Sequence, residues 1–458
     1  MRVISQDTFT ETLKENFDLF DELESDEILK ETVDQFINQG VDLSNIVHSF
    51  DDIEFNQESN SVTYRVVTTL NSLSCSGDNS EMLNDLYTQI KDKLAVRILA
   101  AEHDCYSKLI SLSRTRNDAL VFKVLSALLD SQPDLTNASD IAYFIQCLLE
   151  CDSSECASCI LQLLQNCCTM HEQNRQFAIS KGAPAVLSTM ERFSVDSYCL
   201  IAGSHALRAF VLDDDIRVSF GNSHQHAQFI CNENSGIPRL VKLLNGYSNE
   251  IDEVIVLSSL MDCLSKLCVR NEYCALLMSF PWFENFLNVY NKHSKDKRLL
   301  LSCLLLLKVV AGNDDVKEEL YKSGACEFII KCINDFIMSS TICEAGALAL
   351  QSLALRMPHI ANHCFDLDIA AILVRMIQIH SKHPSTIKSA CYAIRVLASR
   401  CERSEQLFAE HNAEAVIVQH KGNEVCKEAV NDALRELKSS AAELRELWTG
   451  KNPDNVAN

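Results

Sequence analysis

Glycine and proline are scarce in this chain, at 12 and 7 of 458 residues. Nucleotide-binding α/β folds need glycine in their phosphate loops, and β-sandwiches need both residues in tight turns. Neither class fits. Long apolar runs are missing too: the most lipophilic stretch, Leu299–Val310, is interrupted by Ser302 and Lys308 and is too short to cross a bilayer. The first twenty residues lack the apolar core of an export signal. Basic charge is in deficit, with 41 Lys+Arg against 63 Asp+Glu and a net charge of −22. Non-specific affinity for nucleic acid or anionic membranes rests on neutralising phosphates, so neither is an expected partner. Sixteen acidic and three basic residues fall within 1–60, which therefore holds more than half of the net charge. Cysteine is the exception to this scarcity. Its 21 copies are odd in number and follow no framework spacing, so they read as reduced, small apolar core residues. The expected compartment is the cytosol, with the nucleus also open.

The chain is long for one compact core, which stops growing near about 250–300 residues, whereas a repeat array escapes that limit. One phrase recurs: a small or turn-forming residue, a hydrophobic helix, a polar break, then a longer apolar helix. The openings fall at Gly182, Gly236, Ser279, Gly324, Asp368 and Asn412, in steps of 54, 43, 45, 44 and 44 residues. That period lies in the armadillo/HEAT range of roughly 40–47. Ile387, Ala390, Cys391, Ile394, Leu397 and Ala398 form one helical face. Pro184 and Pro238 follow glycines and suit the first turn of a new helix. Leu299–Leu307 is apolar nearly all round and reads as an inner helix covered on both sides. The expected fold is an all-α, right-handed armadillo/HEAT-type α-solenoid of about seven or eight repeats, monomeric, spanning residues 62–447. Residues 1–60 read as an acidic helical segment and linker, with helices carrying Phe9, Leu13, Phe17 and Phe20, then Leu29, Val33 and Phe36. Such a segment either caps the array or docks on it as a gate. Residues 448–458 read as a disordered tail.

Two stretches carry more than repeat periodicity. ETVDQFINQGVDLSNIV (Glu31–Val47) and DDDIRVSFGNSHQHAQFI (Asp213–Ile230) resemble the armadillo repeat-containing protein 6 family. The resemblance implies an armadillo-repeat protein with no known enzymatic activity. No Walker loop, dinucleotide fingerprint or nucleophile elbow appears, so neither catalytic residues nor a cofactor is expected. His171 opens a fragment of a metalloprotease helix, but Arg175 stands where the second histidine belongs. Cys156, Cys159, Cys167, Cys168 and His171 form the one cluster that could suggest metal. The cysteines share a single helix rather than converging from two loops, so core packing is the better reading.

The insertion holds Asp213, Asp214, Asp215, Arg217, Phe220, His224 and His226. Functionally it reads as a partner-binding loop or pH-sensitive clasp; structurally, its aspartates would cap the next helix while Arg217 pairs with one of them. Armadillo arrays, by the same resemblance, line a concave groove with the third helix of each unit. Importin-like members place Trp and Asn ladders there for basic peptides. The corresponding slots here are Asn166, Ala209, Lys266, Lys308, Ser352 and Val396, and Trp282 and Trp448 fall elsewhere. Arg208, Lys266, Lys308 and Arg395 instead make a mildly basic strip suited to an acidic or mixed peptide. The sequence thus points to a scaffold or adaptor for a protein partner; transport-receptor-like binding of basic cargo and metal binding at Cys156–Cys168 are the alternatives.

Overall fold

The computed structural model describes residues 2–4, 6–19, 25–39, 41–43, 46, 65–73, 79–115, 118–247, 253–293, 295–399 and 401–439. Its contacts divide the chain into two compact units, Met1–Gln132 and Pro133–Asn458.

In the first unit, helices Gln6–Leu19 and Ser25–Asn38 pack on each other. Their spaced hydrophobes meet in a small core of Phe9, Leu13, Ile28, Phe36, Val41, Leu43 and Ile46. The Phe9 and Phe36 rings lie 5.7 Å apart. Within this core's shell, Asn16 Nδ2 donates to Thr32 Oγ1 at 2.9 Å, so the buried polar pair is satisfied. Arg2–Val3 and Val41–Asp42 pair as a two-residue parallel bridge, the only strands among the described residues. A helix over 65–72 follows, then Ser80–Ile90, Leu94–Glu102, Cys105–Thr115 and Ala119–Leu129.

The second unit is built on inner helices, each packed on the next. They are α1 (Ser154–Cys168), α2 (Ser197–Phe210), α3 (Glu253–Leu267), α4 (Lys297–Val310), α5 (Ser340–Ala354), α6 (Pro384–Ala398) and α7 (Lys427–Glu436). Their starts are 43 or 44 residues apart except across the insertion, where the step is 56. Side-chain caps set several of these starts: Ser153 accepts from Cys156 N–H, Asp196 from Cys199 N–H and Asp296 from Leu299 N–H. A second layer of helices covers their backs. In one such contact Trp282, Phe283, Phe286 and Tyr290 pack with Phe328 of the next repeat, with ring centroids 5.2–6.0 Å apart. The all-helical solenoid expected from the period is what the chain forms.

The punctuation differs from the sequence reading at three openings. Gly324, Asp368 and Asn412 do adopt left-handed backbone ahead of a helix, with φ of 83°, 61° and 54°. At Gly236 the left-handed residue is Ser235, and Gly236 begins the helix. At Ser279 the backbone is right-handed, and the next helix starts after Pro281. Gly182 and Pro184 break nothing: Glu172–Arg192 is one continuous helix through both. The glycine serves packing instead, since a Cβ there would sit 3.2 Å from Phe210 Cζ and 3.4 Å from Ile145 Cδ1.

Candidate functional site

Helical period and burial together define an open face on the inner helices. At the same level of α1 to α6 stand Gln162, His205, Asp262, Leu305, Leu348 and Tyr392, and one turn later Gln165, Arg208, Ser265, Lys308, Gln351 and Arg395. All twelve are half-buried or exposed, while the two residues between the members of each pair are buried. Of the slots read from sequence only Lys308 coincides with this face; Asn166, Ala209, Lys266, Ser352 and Val396 each lie one residue past it, and two of them are buried. Ala209 and Val396 are core residues at 2% and 3% exposure, and their neighbours Arg208 and Arg395 face outward. Lys266 is exposed and lies one residue past the aligned position. Leu301 and Leu305, read as covered on both sides, are half-buried on this open face; Leu299, Leu300, Leu304 and Leu307 form the covered side.

Charge on this face is unevenly satisfied. Arg395 is spoken for: it donates to buried Asp432 at 3.0 Å, an oxygen set it shares with Arg435, and its guanidinium lies 5.4 Å from the Tyr392 ring. Arg395, Asp432 and Arg435 border a depression of about 330 Å³ with Leu355 and Ser399. Arg208, Lys266, Arg298 and Lys308 make no ion pair or side-chain hydrogen bond among the described residues. Arg298 is absent from the strip read from sequence because it lies just before the apolar run, which begins at Leu299. Its charge nonetheless reaches the α2 imidazole. Desolvation, then Arg208 and Arg298, hold the His205 pKa below its ordinary value, with Asp262 opposing.

The insertion takes a different role. Asp214 accepts from Met170 N–H at 3.2 Å and from Arg175, and Asp215 accepts from Glu172 N–H at 2.8 Å. The aspartates therefore cap the helix that precedes them in sequence, Glu172–Arg192, not the next one. Arg217 pairs with Asp215 at 2.8 Å as expected, and also with Asp134 at 2.7 Å and the Met170 carbonyl at 3.0 Å. Arg175 is fully buried and also holds Glu172 at 2.9 Å and the Cys168 carbonyl at 3.0 Å. His226 is buried, and its Nδ1 lies 2.9 Å from the Phe210 carbonyl. A carbonyl only accepts, so Nδ1 carries the proton. His224 and Asp213 are exposed, and Phe220 is 90% exposed at the loop's tip.

Cys156, Cys167 and Cys168 are core residues, as packing predicts, whereas Cys159 is half-exposed. Among the described residues no group of three or more His, Cys, Asp or Glu side chains is arranged to hold a metal, and no helix is long and apolar enough to cross a membrane.

The sequence profile of the family described as ARMC6 matches residues 69–457, and that of the armadillo repeat-containing protein 6 N-terminal domain matches residues 1–64. The chain belongs to the armadillo repeat-containing protein 6 family. The human protein of that name is 30% identical over 376 residues, covering 78% of this chain and 74% of its own length. The Drosophila melanogaster homologue is 31% identical over 382 residues, covering 80% of each. Among solved structures, an engineered protein matches with a TM-score of 0.65 at 16% identity, covering 82% of this chain and 88% of its own. A structure from work on a phosphorylation switch between cadherin and beta-catenin matches at 0.54 and 17%, covering 81% and 68%. At such identities these two likenesses speak for the fold alone. Both the N-terminal segment and the repeat array of this chain thus match profiles of the family.

Proposed function

We propose that the chain is a non-enzymatic scaffold that binds partner proteins, taking up an extended segment of the partner along the open face of α1 to α6. The observation that carries this reading is the placing of four cations, without acidic partners among the described residues, beside half-exposed leucines on a chain of net charge −22. Leu301, Leu305 and Leu348 offer apolar contact, and Arg208, Lys266, Arg298 and Lys308 offer charge. An acidic or mixed segment with apolar residues satisfies both. Basic cargo of the transport-receptor kind would meet these cations, and the one described tryptophan, Trp282, is buried with its Nε1 donating to Met278 Sδ. The cytosol is the compartment this reading assumes.

Proximity labelling in cells tests it with the intact chain and a Leu305→Glu, Leu348→Glu double variant. Both leucines are only half-buried, so the variant should keep its helical signal and melting temperature while losing the partners specific to the intact chain. An unchanged partner set from a folded variant would refute the assignment of this face.

A further inference from the structure

Phe220 is not alone at the tip of the insertion. Ile216 is 92% exposed, and Val218, between the two in sequence, is exposed as well. A slack loop could turn such side chains inward, but this one is held at both ends. On the near side Arg217 grips Asp215, Asp134 and the Met170 carbonyl, and the Val218 N–H donates to the Asp215 carbonyl at 3.1 Å. On the far side the Asn222 N–H donates to Glu172 at 2.9 Å. Gly221 packs so closely there that a Cβ would lie 2.5 Å from Asp213 Oδ1. The loop therefore presents its apolar side chains to solvent in a fixed conformation. Anchors ordered in advance lose little entropy on binding.

Charge indicates what covers them. Asp134, Glu172, Asp213, Asp214 and Asp215 stand at the stem with two guanidinium groups, those of Arg175 and Arg217. Counting His171 as neutral, five carboxylates against two cations leave three negative charges. The matching surface is apolar with cationic flanks, and the chain itself carries one. On the open face Leu301, Leu305 and Leu348 are half-buried, and Arg208, Lys266, Arg298 and Lys308 make no ion pair among the described residues. Asp262 is the one carboxylate among the twelve positions named on that face. With Ile216 and Phe220 bare to solvent, the loop does not lie on the face of its own chain.

We infer that the insertion loop of one copy docks on the open face of a second copy. Ile216 and Phe220 seat against Leu301, Leu305 and Leu348, and the carboxylates of the stem turn toward the cations. This rests on the proposed reading of that face as a binding surface, and it replaces the monomer expected from the sequence with a weak self-association. Three loop side chains cover far less than the roughly 1,200 Å² of a stable complex, so the contact is transient and competes with partner segments for the face. Unlike surfaces meet in it, so copies add head to tail.

Sedimentation velocity on the full chain tests this. At about 100 µM protein in 50 mM salt the average mass should exceed that of a monomer, and it should fall to the monomer at about 1 µM or in 500 mM salt. A loop variant, Ile216→Ser with Phe220→Ser, and a face variant, Leu305→Glu with Leu348→Glu, should each stay monomeric with unchanged melting temperatures. Mixed in equal amounts they should associate again and stop at a one-to-one pair, because the mixture holds one intact loop and one intact face. An intact chain that is monomeric at the higher concentration overturns the inference; so does association that survives the loop variant, or a mixture that stays monomeric. An acidic, leucine-containing peptide separates this failure from that of the groove. Peptide binding by a chain that never associates spares the face, whereas loss of both sinks both readings. Loop-dependent binding of phosphatidylcholine vesicles by a chain that does not self-associate would assign the tip to a membrane and overturn the inference.

Discussion

Arg175 is fully buried, with Glu172 at 2.9 Å and Asp214 also on its guanidinium. Removing one partner of such a set leaves the others buried and uncompensated, so Arg175→Ala should cost about 3–5 kcal/mol in urea unfolding. A loss under about 1 kcal/mol would show that the clasp does not hold the array together. Its acid response follows from the carboxylates. Burial pushes Glu172 up, but the Asn222 N–H and Arg175 outweigh it and hold the carboxyl below its ordinary value. Arg217 first, opposed by burial and aided by the Glu172 N–H, holds Asp215 well below the carboxylate range. Folded values lower than unfolded ones mean that this stabilisation is complete above the unfolded pKa, near about 4, and is lost as pH falls through the folded values. Unfolding measured from pH 6 down to pH 2 should therefore show a steep loss that Asp215→Asn makes shallower; parallel profiles would refute the linkage. The acidic triplet was visible in the sequence, and so was its pairing with Arg217. Its true target was not, because Glu172 lies 43 residues upstream and no local pattern connects the two.

Inner helices were the most legible elements, since a 44-residue period and an i, i+3, i+4 stripe both follow from stacking alone. Leu304 belongs to the covered side of α4 at 0% exposure, so Leu304→Ala should cost about 2–5 kcal/mol by thermal or urea unfolding. Leu305→Ala, one residue along on the open face, should cost far less. Equal losses would mean that α4 is rotated from the orientation described. Gly346 on α5 gives a second check, because a Cβ there would approach Ile333 Cγ1 to 2.5 Å. Gly346→Val should overpack that contact and destabilise by about 1–3 kcal/mol; a neutral effect would show that the two helices can part cheaply. Boundaries were less legible than existence. A glycine followed by proline ordinarily ends one helix and starts another, yet Gly182 and Pro184 lie inside Glu172–Arg192 because close approach to Phe210 and Ile145 requires the small residue. The one-position error at Ala209 and Val396 has a similar origin. Small residues there satisfy the inner packing, and only burial shows that the longer neighbour faces out.

At the scale of the whole chain, charge is divided: a strongly acidic segment at 1–60, and on the second unit an open face carrying cations that make no ion pair among the described residues. Ion pairs alone hold little, since an exposed pair is worth about 0–1 kcal/mol. Docking the acidic segment on the face as a gate would also need its phenylalanines. Phe9 and Phe36 are committed to the first unit's own core, at 1% and 7% exposure, while the side chain of Phe17 and the whole of Phe20 lie outside what the structure describes. Gating would have to break that core, so the expected outcome is that the segment does not compete for the face. Deleting residues 1–60 should leave the affinity of the open face for an acidic, leucine-containing peptide within about twofold. Raising salt from 50 to 500 mM should weaken that peptide to the same degree with and without the segment, because screening acts on the peptide's own contacts with Arg208, Lys266, Arg298 and Lys308. A gate makes the opposite pair of outcomes: tighter binding on deletion, and a salt response in the intact chain that is blunted as screening releases the segment. Anisotropy titrations of both proteins at the two salt concentrations decide between them.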